Sequence, residues 1–175
     1  MVQWDGTSRP YTNRGNNGKK FYRTGSTFFN TVAITDANEK TNYRFSATDI
    51  SNTDIVPGSN LNRKIFALNL GSTLAEKLTL NVNAKYSVEK TFGRPRLSDS
   101  PGNANFSVAL LPANINVEDL APGINEDGSE NLFTDNVFSQ NPYFAANFFR
   151  NEDTRNRFIC SASLRYDITD WLYLF

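Results

Sequence analysis

Residues 62–86 read NRKIFALNLGS, TLAEK, LTLNVNAKY. Phe66, Leu68 and Leu70 alternate with Ala67, Asn69 and Gly71. After the short link 73–77, Leu78, Leu80, Val82, Ala84 and Tyr86 alternate with Thr79, Asn81, Asn83 and Lys85. A period of two places successive side chains on opposite faces, so each segment is a strand with one apolar and one polar side. A link of about five residues suits a hairpin. In the second strand the apolar side is unbroken and the other side is Thr, Asn, Asn, Lys. Strands with one oily and one hydrophilic face are what a water-filled membrane barrel requires.

Composition supports strands over helices. The 175 residues carry 18 basic and 18 acidic side chains, so no net field draws the chain to nucleic acid or to an anionic surface. Histidine is absent and Cys160 is the single cysteine, which removes His-dependent acid–base chemistry, cysteine-rich zinc sites and a disulfide framework. There are 23 asparagines, 14 phenylalanines and 7 tyrosines, the balance of aromatic-rich strands joined by Asn/Gly/Pro loops. No apolar run approaches the ~20 residues of a spanning helix, whereas a barrel strand needs only ~9–11 alternating residues. The opening MVQWDGTSR lacks the apolar core of a signal peptide. A barrel reading therefore expects the export signal upstream and this chain to be a fragment.

The same periodicity divides the chain into four parts. Residues 1–25 are rich in Asn, Gly, Arg and Lys, and read as a solvated loop before the strands, with Trp4, Tyr11, Phe21 and Tyr22 as aromatic pegs. Residues 26–90 hold four strands in two hairpins. The first carries Phe28, Val32 and Ile34 on one side, interrupted by Asn30. The second, after the turn 36–40, carries Tyr43, Phe45 and Ala47 against Asn42, Arg44, Ser46 and Thr48; residues 51–61 are loop chemistry. Residues 91–153 show no sustained period, carry three basic and nine acidic side chains, and read as one long loop, with a helical turn expected at 116–120 capped by Asn116. Residues 154–175 resume the alternation: Phe158, Cys160, Ala162, Leu164 and Tyr166 oppose Ile159, Ser161, Ser163, Arg165 and Asp167. A turn at 168–170 precedes a last, truncated strand. The fold expected is all-β, with antiparallel up-and-down strands forming part of a transmembrane β-barrel and one long extracellular loop. Short turns at 36–40, 73–77 and 168–170 and longer links at 51–61 and 91–153 match the periplasmic and outer sides of such barrels, with Tyr43, Tyr166 and Trp171 near the short-turn ends as an aromatic girdle.

The wording of several segments resembles a known family. FYRTG (21–25), NEKTNYRFS (38–46), NRKIFALNL (62–70), LTLNVNAKY (78–86), NPY (141–143) and YDITDWL (166–172), in this order, are similar to the barrel of SusC/RagA-type TonB-linked outer-membrane proteins. WDG (4–6) with RPY (9–11) resembles the segment before the barrel strands in one branch of that family. The resemblance covers essentially the whole chain. It implies nutrient import across the outer membrane of Bacteroidetes-type Gram-negative bacteria, with oligosaccharides, or peptides in some branches, as substrates. It also implies a SusD-type surface lipoprotein capping the barrel and a TonB complex acting through a plug domain that this chain does not contain. Six strands cannot close a wide channel, and an open sheet in lipid leaves two rows of unpaired backbone groups costing several kcal/mol each. If the chain is the entire polypeptide, misfolding or aggregation is expected.

No catalytic constellation emerges, so the chain is not expected to be an enzyme, and no cofactor or metal is implied. Residues 126–130 (EDGSE) are acidic but lack the alternate ligands of a calcium loop. Cys160 falls in the apolar stripe of its strand, as a small packed or lipid-facing residue. Phe138, Tyr143, Phe144, Phe148 and Phe149 cluster in the long loop, where aromatics can pack the loop on itself, meet the lipoprotein or stack on a substrate sugar. Arg44, Asn69, Asn81, Asn83, Lys85 and Arg165 form the polar set expected to face the lumen. Two other functions fit the same alternation. One is a soluble all-β carbohydrate-binding module with the apolar stripe as its core; the other is a truncated, non-functional product beginning at Met1.

Overall fold

The computed structural model describes residues 2–175; Met1, where the expected first segment and the truncated product begin, lies outside them. Six strands form one antiparallel sheet: β1 (Ser26–Ala37), β2 (Thr41–Thr53), β3 (Asn60–Ala75), β4 (Leu78–Phe92), β5 (Glu152–Thr169) and β6 (Leu172–Leu174). Their order in space is their order in sequence. The expected up-and-down arrangement is present, and the sheet is open: it does not close into a barrel. Three short helices, α1 (Asn17–Phe21), α2 (Ala104–Leu110) and α3 (Pro142–Phe148), and a 3-10 turn (Val117–Leu120) lie in the remaining segments.

The strands run beyond their apolar bands. β2 continues to Thr53 and β5 starts at Glu152, although the alternation of large apolar residues covers only the middle of each. Cross-strand polar pairs hold the ends of β2, β3 and β4: Lys64 Nζ meets Asp49 Oδ1 at 2.8 Å, and Arg63 Nε donates to Glu89 Oε2 at 2.6 Å. Such pairs replace apolar contact as the unit of sheet stabilisation where the chain becomes hydrophilic. The link between β3 and β4 shrinks correspondingly to Glu76 and Lys77. At the β1–β2 turn, Asn38 Oδ1 accepts the amides of Lys40 and Thr41 at 2.9 and 2.8 Å, while the Asn38 amide donates to the Thr41 carbonyl at 2.8 Å. Asparagine suits the place because its short side chain closes a local turn on its own backbone. Adjacent hairpins are joined at their turns by Thr73 N–H to Lys40 O (2.7 Å) and Asp167 N–H to Lys77 O (2.9 Å).

The chain divides into two compact units. One is the sheet proper: residues 27–51, 62–90 and 154–175. The other gathers residues 2–26, 52–61 and 91–153, so the opening segment and the long loop share one fold. Its core holds Phe21, Val56, Ala104, Val108, Val117, Ala145 and Ala146, with Ile115, Leu120 and Phe133 as a second cluster; Leu111 and Tyr143 pack against both. Most of the opening segment is exposed, and its aromatic residues peg it to the long loop: Phe21 is buried, and Tyr22 Oη donates to Asn105 Oδ1 at 2.9 Å. Asn17 clamps the 3-10 turn, giving Nδ2–H to Ile115 O (2.9 Å) and accepting Val117 N–H (3.0 Å). Val117 and Leu120 are fully enclosed. Each such burial is worth roughly 1.5–3 kcal/mol. A half-exposed pair such as Lys20–Glu118 at 3.2 Å is worth under about 1 kcal/mol, so apolar packing holds this unit together. Close backbone approach adds a constraint at Gly93, whose φ is +64° and where a Cβ would lie 2.3 Å from the Gly58 carbonyl oxygen. Only glycine accommodates both.

Candidate functional site

The sheet has two chemically distinct faces, and its side-chain contacts sort them. Thr31 and Thr48 hydroxyls meet at 2.9 Å, Arg44 reaches the Thr35 hydroxyl, and Asn42 lies over Gly71, where an added Cβ would sit 2.9 Å from its Nδ2. Arg63 pairs with Glu89, as above. These contacts place the odd residues of β1, the even residues of β2 and the odd residues of β3 and β4 on one side. Arg44, Asn69, Asn81, Asn83 and Lys85 therefore share a face, as the alternation predicts. All five are exposed. Alternation along β5 puts Arg165 on that face too; its Nε donates to Asp167 Oδ1 at 2.8 Å and its guanidinium lies 4.3 Å from the Tyr173 ring centroid.

The opposite face carries Phe28, Val32 and Ile34 on β1, Tyr43 and Phe45 on β2, and Phe66, Leu68 and Leu70 on β3. Leu78 through Val88 continue it on β4, and Phe158 through Tyr166 on β5. Tyr86 Oη and Asn156 Oδ1 meet across it at 3.1 Å. Every residue of β1 is exposed, Leu164 is 50% exposed, and Leu80 and Val82 keep intermediate exposure. Cys160 is exposed on the same side. The sorting is incomplete, since Phe29 and Ile159 lie exposed among the polar set.

The sheet also keeps free edges. Among the described residues β1 has a neighbouring strand on one side only. β5 is 18 residues long but pairs with β6 only through Tyr166, Asp167 and Thr169. Most of its outer backbone has no strand beside it among the described residues.

The five aromatic residues of the loop do not form one surface. Tyr143 is half-buried against the core of the second unit, 5.3 Å edge-on to Phe21, and burial, helped by the charge of Glu118, raises its phenol above the usual range. Phe144 stacks on Phe148 at 5.4 Å and meets Phe149 edge-on at 5.8 Å. Phe138 stands apart and is 57% exposed. α3, which carries Tyr143, Phe144 and Phe148, is capped by Asn141 with Pro142 opening its first turn, the arrangement that NPY encodes. The turn expected at 116–120 is present as a 3-10 turn, but the Asn116 side chain serves Asp119 instead of capping it.

The acidic stretch 126–130 is a closed turn, with Asp127 Oδ1 accepting the Ser129 hydroxyl at 2.6 Å and its amide at 2.9 Å. Those bonds hold its carboxyl below the ordinary value. No group of ligands for a metal ion occurs among the described residues. One feature escaped the alternation. A cleft of about 130 Å³ on the polar face, lined by β3, β4 and β5, gathers Arg63, Arg155 and Arg157 beside Lys85. Continuing the odd-numbered parity of β3 and β5 toward residues 63 and 155 would have revealed it. No protein-family model matches the chain, and no curated protein matches it.

Proposed function

We propose that this chain forms six strands of a transmembrane β-barrel belonging to a TonB-dependent outer-membrane importer of the SusC/RagA type. The observation that carries the reading is the two-faced sheet, apolar and exposed on one side, hydrophilic and exposed on the other. In water an exposed apolar face of this extent is unfavourable; against hydrocarbon it is the favourable arrangement, with the polar side turned to an aqueous lumen. Strands of 12–18 residues for β1 to β5 exceed the ~9–11 needed to cross a bilayer. The free edges of β1 and β5 take further strands of the barrel, because unpaired backbone cannot face lipid. In this reading the protein works in the outer membrane of a Gram-negative cell, importing oligosaccharides or peptides. A SusD-type lipoprotein contacts the outer loops, including the exposed Phe138 and Phe148, and the TonB complex drives transport through a plug.

Single cysteines at residues 78–86, in a Cys160→Ser background, test it by spin-label accessibility in lipid vesicles. Even positions are expected to be open to oxygen in the lipid and odd positions to a water-soluble nickel reagent. Uniform accessibility, or a chain that remains monomeric and cooperatively folded without detergent or lipid, would remove the membrane assignment.

A further inference from the structure

We infer that the cleft on the polar face of β3, β4 and β5 is a binding site for acidic sugar units of an oligosaccharide, bearing carboxylate or sulfate groups. It rests on the importer reading and narrows its substrate. The cleft presents four cations and one carboxylate: Arg63, Lys85, Arg155 and Arg157 against Glu89. Arg63 is held by Glu89. Lys85, Arg155 and Arg157 make no ion pair among the described residues. Like charges on neighbouring strands repel and weaken pairing, so three such cations on adjacent strands burden the sheet unless an anion joins them. Guanidinium forks bind carboxylate and sulfate oxygens through two parallel bonds, and the paired Arg63 fixes one wall of the site. Ser87 adds a hydroxyl within the cleft, and Asn81 and Asn83 extend the same strand face with amide donors and acceptors suited to sugar hydroxyls. Ile65 and Ile159 supply an apolar floor for a sugar ring, which a bare inorganic anion would not use.

Size favours a glycan over a folded acidic protein. Three adjacent strands span about 10 Å, the extent of one or two sugar units, whereas a specific protein interface covers roughly 800 Å² per partner.

The test is titration calorimetry on the full chain folded in detergent micelles, using hexasaccharides of one backbone in sulfated and desulfated forms and a second pair in carboxylated and methyl-esterified forms. An anionic form is expected to bind at least tenfold more tightly than its neutral counterpart, with affinity falling steeply between 50 and 300 mM salt. Arg155→Gln with Arg157→Gln is expected to abolish that preference, while Arg44→Gln leaves it intact. Both arginines are exposed, so the fold should survive; if the double variant fails to fold, Lys85→Gln carries the same expectation with a smaller loss. Equal binding of charged and neutral forms, an unaffected double variant, or binding confined to acidic polypeptides would overturn the inference. The spin-label pattern on β4 is read separately: the alternation without charge preference rejects only the acidic ligand, while charge preference without the alternation rejects the membrane reading.

Discussion

Asn141 shows how much one side chain can hold. It is wholly buried. Its Nδ2 donates to the carbonyls of Leu120 and Asn131, both at 2.9 Å, its Oδ1 accepts the amides of Tyr143 and Phe144, and its own amide donates to Glu130. Asn141→Ala would strand the buried Leu120 carbonyl, the partly buried Asn131 carbonyl and the first turn of α3 at once. At ~1–3 kcal/mol for each buried group left unmet, a loss of about 3 kcal/mol or more is expected, read as a lower denaturation midpoint of the unit containing α3. Tyr143 gives a second residue-scale expectation. Burial favours its neutral phenol, so the folded chain holds that proton more tightly than the unfolded chain. The corresponding stability is fully present below pH ~10 and is lost as pH rises through the raised folded value. Thermal denaturation from pH 9 to 11 should show this decline, and Tyr143→Phe should flatten it. Tyr22, also raised by burial, would account for a remainder.

Among the elements, the strands were the legible part. Phe66 to Leu70 and Leu78 to Tyr86 announce both their type and their faces, because a half-covered sheet selects side chains with a period of two. Strand ends were less legible, since the polar pairs Lys64–Asp49 and Arg63–Glu89 stabilise extended chain with no apolar marker. The same gap hid the basic cleft, whose arginines lie on those extensions. The face assignment carries its own prediction. In the proposed barrel, Val82→Arg should cost roughly 2–4 kcal/mol near the bilayer centre, and Asn83→Arg, one residue away on the polar face, close to nothing. Folding yield in vesicles would separate the two substitutions; equal effects would contradict the two-sided arrangement.

For the whole molecule, the sequence concealed the second unit because its core draws on scattered positions. Phe21, Val56, Ala104, Val117 and Ala145 are far apart in the chain, and helices of five to seven residues are too short to display a helical period. What alternation cannot reveal, connectivity can. Arg14 N–H bonds to the Ala113 carbonyl at 2.7 Å and Arg23 N–H to the Ile55 carbonyl at 2.9 Å, so the three segments depend on one another. A polypeptide of residues 1–90 is expected to leave Phe21 and Val56 without cover and residues 2–26 quickly cut by protease; full-length chain should protect them. On the ribosome the consequence is a delay. Four strands emerge before Tyr143, whose ring meets Phe21 edge-on at 5.3 Å, has been translated. The nascent chain thus passes through an interval in which Phe21 and Val56 wait for residues that have yet to be made.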